Sequence, residues 1–169
     1  MRTSIAAVLL VAAVATLQIA AVTGDDIING RKASINSLQY MVSVQADKKH
    51  NCGGFLISPK YVLTAAHCHS ENMTVVLGDH NIGPGKNLER YEVVRTFKKS
   101  FTNVLKGDDI MLLKLGREAV LGGNVKTVKI ADKRHRVKRG TKCLVAGWGK
   151  TKEAENVTDD VTDFERIHC

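Results

Sequence analysis

Tyr61-Val62-Leu63-Thr64-Ala65-Ala66-His67-Cys68 carries an apolar, strand-like stretch into a histidine and a cysteine, and Cys52-Gly53-Gly54 stands just upstream. The first residues read as a short strand, and Thr64 to Cys68 as one short turn of helix. A histidine taken alone is more often structural or superficial than catalytic. Four cysteines are present, and four allow three connectivities; one of these, Cys52 with Cys68, would pin the histidine's loop back onto an adjacent strand and immobilise the imidazole. Further on, Gly107-Asp108-Asp109-Ile110-Met111-Leu112-Leu113 sets a carboxylate at the mouth of a buried strand. Such a group can accept the ring N–H, fix the tautomer and stabilise the imidazolium formed during acyl transfer.

Around these two segments the chain breaks into short apolar or alternating runs. Leu38 to Gln45, Gly54 to Ile57, Tyr61 to Ala65, Thr74 to Leu77, Tyr91 to Phe97, Ile110 to Leu115 and Lys142 to Gly147 are the expected strands. Turn residues separate them, among them Ser58-Pro59, Gly78-Asp79, Gly107-Asp108, Gly122-Gly123-Asn124 and Arg139-Gly140. Many short strands at this spacing predict an all-β barrel or sandwich. Gly83-Pro84-Gly85 lacks the Lys-Ser/Thr of a phosphate loop and is a turn.

Of the 169 residues, 44% are hydrophobic and 25% charged, the balance of a folded globular chain. Met1 and Arg2 lead into an uncharged apolar run from Ile5 to Val22, closed by Thr23 and Gly24. This is the layout of a signal peptide over residues 1–24, with export expected. Thr16 and Gln18 dilute the run and no stop-transfer charges follow, which argues against a membrane anchor. Export would oxidise Cys52, Cys68, Cys143 and Cys169 and make Asn72-Met73-Thr74 and Asn156-Val157-Thr158 glycosylation acceptors. The His67-Cys68-His69 run matches no common zinc spacing, so neither metal nor cofactor is expected. The net charge of +8 favours polyanions. Its densest patch, Lys133, Arg134, His135, Arg136, Lys138 and Arg139, reads equally as a solvated loop or as a site for sulfated glycans, proteoglycans or acidic membranes. Aromatics are 5% and none interleaves with the patch, so nothing points to specific nucleic-acid binding.

Taken in order, Ile27-Ile28-Asn29-Gly30, Cys52-Gly53-Gly54, Leu63-Thr64-Ala65-Ala66-His67-Cys68, Asp109-Ile110-Met111-Leu112-Leu113 and Val145-Ala146-Gly147-Trp148-Gly149 resemble the trypsin/chymotrypsin-like serine proteases from Ile27 to Cys169. The resemblance implies a double β-barrel with the first barrel at about 27–130, and the start of an incomplete second at 131–169. It also implies His67 as general base, Asp109 rather than Asp108 as its orienting carboxylate, a Cys52–Cys68 disulfide, and Ile27 as the N-terminus exposed on activation. Asp25-Asp26 resembles the short acidic propeptide of granzymes and related granule proteases, although Asn29 departs from the Gly usual there. Secretion or a granule lumen follows as the expected location.

In that family the nucleophile lies in a Gly-Asp-Ser-Gly-Gly-like loop after the aspartate. The last serine here is Ser100, before Asp109, and no Gly-Asp-Ser occurs. Thr141, Thr151, Thr158 and Thr162 lack the strained turn that presents an activated hydroxyl. The family pattern also gives Cys143 and Cys169 partners further along, leaving them here to pair together, with another chain, or not at all. The expectation is therefore a serine endopeptidase relative that acts on peptides only when completed and is inactive as written. The alternative is a catalytically silent polyanion-binding protein; a decoy for protease inhibitors is a weaker third reading.

Overall fold

The computed structural model describes residues 31–99, 107–149 and 158–168; the expected signal segment, Asp25-Asp26, Ile27, Asn156 and Cys169 lie outside them. The described residues form nine strands and one short 3-10 turn. Strands β2 (Met41–Ala46), β3 (Lys49–Ser58), β4 (Tyr61–Thr64), β5 (Met73–Leu77), β6 (Arg90–Lys98) and β7 (Met111–Leu115) close into one barrel in the order β2-β3-β4-β7-β6-β5. Every pairing is antiparallel. Closure leaves no unpaired edge in the barrel.

Period-two patterning explains which side chains fill it. In β7, Met111, Leu113 and Leu115 are buried while Leu112 and Lys114 are half-exposed. Val42, Val44, Leu56, Val62, Val75 and Tyr91 complete the same core. Gly54 faces β4 at close range: a Cβ there would stand 2.9 Å from the Leu63 carbonyl oxygen, so the two strands approach as they do because position 54 has no side chain.

A second sheet takes the order β1-β9-β8, from β1 (Arg31–Lys32), β9 (Thr158–His168) and β8 (Lys142–Gly149). By its pairing to β9 at Arg31↔Asp163 and Lys32↔Thr162, β1 belongs to this sheet and not to the barrel. Trp148 joins the two parts. It is 2% exposed, packs with Ala33, Leu38, Met41 and Ile82, and donates its indole N–H to the His80 carbonyl at 3.0 Å. Strand β2 consequently has both faces covered, Val42 and Val44 toward the barrel core and Met41 toward Trp148. Cys143 is disulfide-bonded, which removes the free thiol from the alternatives left open by the sequence.

Candidate active site

His67 lies in the 3-10 turn Ala66–Cys68 that ends β4. Ala66 and Cys68 on either side of it are buried, so the turn is anchored by its neighbours while the imidazole projects outward. A Cys52–Cys68 disulfide ties this turn to β3, and the Asn51 side-chain amide donates to the Cys68 carbonyl at 3.3 Å. Asp109 arrives on the approach to β7, two residues before that strand begins. Because β4 and β7 are neighbours, with Thr64 opposite Met111, the turn after one strand and the approach to the other meet at the same end of the barrel.

They meet with short contacts. His67 Nδ1 lies 2.7 Å from Asp109 Oδ2, and the His67 backbone N–H donates to Asp109 Oδ1 at 2.9 Å. The two carboxylate oxygens thus hold both the ring and the backbone that carries it. The hydrogen bond from the His67 ring, helped by the backbone N–H groups of His67 and Ala66, holds the Asp109 carboxyl below the ordinary value of 3.8 against the opposing effect of desolvation. An ionised carboxylate can only accept, so Nδ1 carries the proton and Nε2 is the basic nitrogen of the ring. Nε2 is 3.9 Å from Cys52 Sγ. The His67 side chain is 44% exposed and Asp109 22%, an open arrangement that an incoming hydroxyl can reach.

Asp108 turns away. Its backbone φ of +58° follows Gly107 at +74°, and its carboxylate meets Lys99 Nζ at 3.0 Å. The donor atoms of Cys52, His67 and Cys68 lie within 4.8 Å of one another, but sulfurs joined in a disulfide are not thiolate ligands, so this cluster does not fit a metal ion.

A serine–histidine contact elsewhere was not singled out from the sequence. Ser43 Oγ in β2 lies 2.8 Å from His50 Nδ1 in β3, and the His50 ring stands edge-on to Trp148 at 5.5 Å. Gln45 reaches Ser43 at 3.4 Å and accepts from Arg90 Nε at 3.0 Å. Ser43 is fully buried, so no substrate carbonyl can approach its hydroxyl; the network links Ser43, Gln45 and Arg90 to His50 Nδ1 in the interior. No sequence signal marks it, since Ser43 and His50 belong to no recognisable motif.

The remaining expected positions are scattered. Lys133, Arg134, Arg136, Lys138 and Arg139 are all exposed on the connector between β7 and β8, where Asp132 engages Arg134 at 3.3 Å. Asn72 is exposed at the turn into β5, while the hydroxyl of Thr74 is buried without a hydrogen-bond partner. Two hollows, one lined by Leu38, Met41, Asp79 and His80 and the other by Asn72, Thr74, Glu92 and Arg95, include neither His67 nor Asp109.

Comparison with known proteins places this geometry. The chain is 39% identical over 132 residues to granzyme-like protein 2 of Rattus norvegicus, covering 75% of this chain and 53% of the relative. It is 41% identical over 146 residues to mast cell protease 8 of Mus musculus, covering 84% and 59%. The chain thus spans about half the length of the curated relatives it matches. Among solved structures, a mutant of human heparin binding protein superposes with a TM-score of 0.74 at 30% identity, covering 82% of this chain and 64% of that one. Neuropsin, a serine protease expressed in the limbic system of mouse brain, superposes with a TM-score of 0.72 at 30% identity, covering 82% and 63%. The fold is accordingly the chymotrypsin-like all-β architecture, with one barrel closed and the second represented by a partial sheet. Residues 27–166 match the Trypsin family model, and the chain belongs to the trypsin family.

Proposed function

We propose that His67 and Asp109 form the base-and-carboxylate half of a serine endopeptidase site, and that the nucleophile is not among these 169 residues. The observation that carries the reading is the double contact of Asp109 with His67, 2.7 Å to Nδ1 and 2.9 Å to the backbone N. In acyl transfer, Nε2 of His67 would take the proton of an attacking hydroxyl and return it to the leaving amine, while Asp109 stabilises the imidazolium in between. Peptide or protein substrates are implied once a serine and oxyanion donors are supplied. Without them the chain is inactive, because loss of an oxyanion donor alone costs roughly 10²–10³ in rate. The leader-like residues 1–24 support passage through the secretory pathway, to the exterior or a granule lumen, with Asp25-Asp26 as propeptide and Ile27 as the mature start.

Two measurements test this. Nitrogen-15 correlation spectra of the His67 ring should show the proton on Nδ1, and Asp109→Asn should shift the population toward Nε2–H; a native ring protonated on Nε2 would sink the assignment. Hydrolysis of activated esters by the purified chain should equal the buffer blank. Turnover abolished by His67→Ala would reveal a nucleophile within these residues.

A second reading is favoured by the exposed connector and by the likeness to human heparin binding protein. It makes the patch from Lys133 to Arg139 a site for a sulfated glycan or granule proteoglycan. Retention on immobilised heparin should fall with added salt, and reversing Lys133, Arg136 and Arg139 to Glu should abolish it.

A further inference from the structure

The connector is unusual in charge and in conformation. Residues 126–142 carry eight Lys and Arg against the single acid Asp132, a surplus of +7 in a chain whose formal net charge is +8. The segment between β7 and β8 enters no strand ladder beyond the bridge Gly122↔Val125, and every residue from 131 to 142 is exposed. Within it stands Arg136-Val137-Lys138-Arg139-Gly140. Arginine or lysine thus occupies the first, second and fourth places before the Arg139–Gly140 bond, with Arg134 at the sixth.

We propose that Arg139–Gly140 is a processing site for a secretory-pathway endoprotease that reads paired basic residues through acidic subsites, and that cutting there yields a nicked two-chain protein. This rests on the reading that the chain enters the secretory pathway. The step is hydrolysis: water adds across the amide, the Arg139 C–Gly140 N bond breaks, Arg139 becomes a new C-terminal carboxylate and Gly140 a new N-terminal ammonium.

Two features of the fold single out this bond. First, a protease binds its substrate extended, as a strand added to its own, so the local backbone must be free to open. Here Thr141 closes a turn on the Lys138 carbonyl, through its N–H at 3.0 Å and its hydroxyl at 2.6 Å, and Gly140 takes φ +80° inside it. Opening the turn breaks hydrogen bonds made by exposed residues and uncovers no apolar core. Second, the other paired basic residues lack one or other requirement. Arg31-Lys32 forms β1, Lys49 begins β3, and Lys98 is paired to Met111 in the barrel. Lys133-Arg134 is exposed but has Ala131 at its fourth place.

The two products need not separate. Trp148 remains seated in the barrel-side cluster with its N–H on His80, and β1, N-terminal to the cut, pairs with β9, C-terminal to it.

The test takes the purified full chain and a calcium-dependent, subtilisin-type proprotein convertase that requires Arg-X-Lys-Arg. Mass spectrometry and N-terminal sequencing should find one new terminus, Gly140-Thr141-Lys142, while native size exclusion still gives one peak. Arg139→Ala should abolish the cut, Arg136→Ala should slow it at least ~10-fold, and Lys133→Ala should leave it unchanged. In parallel, the protein secreted from cultured cells should carry the same terminus, lost when a convertase inhibitor is added. Absence of the cut in vitro, equal rates for Arg136→Ala, or an uncut secreted product would each overturn the proposal. A chain retained in the cytosol with its leader intact would instead overturn the secretory reading, and the in vitro rates would still decide the site.

Discussion

Trp148 is the sole tryptophan and an apolar link between the second sheet and the barrel, so Trp148→Ala tests how the two are joined. A buried indole removes up to ~250 Å² from water, which at ~25 cal/mol per Å² sets a ceiling of ~6 kcal/mol. Truncations of buried large aromatics cost ~3–5 kcal/mol, and the His80 carbonyl additionally loses its donor at 3.0 Å. The expected loss is ~4 kcal/mol, or ~10³ in the equilibrium for undocking the sheet. Because the cavity lies among Ala33, Leu38, Met41 and Ile82 rather than among the barrel's inner residues, the loss should be local. Hydrogen exchange read by mass spectrometry or NMR resolves this: amides of Cys143 to Gly147 in β8 should lose up to ~10³ in protection, while Val44 and Val75 keep theirs. Trp148→Phe, which keeps a ring but not the N–H, should lose roughly tenfold. Equal loss in β5 and β8 would refute the reasoning by showing one cooperative unit, and unchanged β8 protection would show that docking does not depend on the indole.

Three further outcomes are expected. Gly54→Ala should destabilise the barrel by ~1–3 kcal/mol, measured by urea unfolding, since its Cβ would press on the Leu63 carbonyl at 2.9 Å and Val62 Cγ1 at 3.3 Å; an unchanged midpoint would mean that β3 and β4 can part at no cost. Replacing both Cys52 and Cys68 by Ala should cost ~3 kcal/mol, the chain-entropy value for a loop of this length, given a sequence separation of 16; a smaller loss would place residual order in the unfolded loop. Asp109 is held below 3.8 by His67, so its contribution to stability is complete above that value and is lost as pH falls through the depressed one. Urea midpoints of the native chain should therefore fall more steeply in acid than those of Asp109→Asn, and parallel curves would contradict the assignment.

Strands whose inner and outer faces differ were legible from sequence. Met111-Leu112-Leu113-Lys114-Leu115 and Tyr61-Val62-Leu63-Thr64 carry enough apolar residues between turn signals to be placed within a residue or two. The first half of β3, Lys49 to Gly53, was missed because charged, amide and glycine residues hide a strand held by its partner β2. Barrel closure was legible only through the family resemblance, since pairing β4 with β7 joins residues about fifty positions apart and no local signal encodes it. His67 and Asp109 stood out because each follows or precedes a recognisable strand. Ser43 and His50 did not, because a buried polar pair is defined by what covers it, here Trp148 from the far end of the chain.

That difference bears on how the active-site half depends on the rest. Three features that fix His67 come from the barrel: β4 delivers it, the disulfide to Cys52 in β3 restrains its turn, and Asp109 reaches it from just before β7. None of these contacts passes through β8, β9 or the basic connector. The histidine should therefore keep its Nδ1 proton in Trp148→Ala, and equally after cleavage at Arg139, even where β8 has lost its protection. A shift of the His67 ring to Nε2–H in either case would mean that the second sheet also positions the base, through the Ser43–His50 network beneath Trp148. Retention would mean that the barrel prepares a base and its carboxylate independently, leaving the second sheet to govern only what is brought to them.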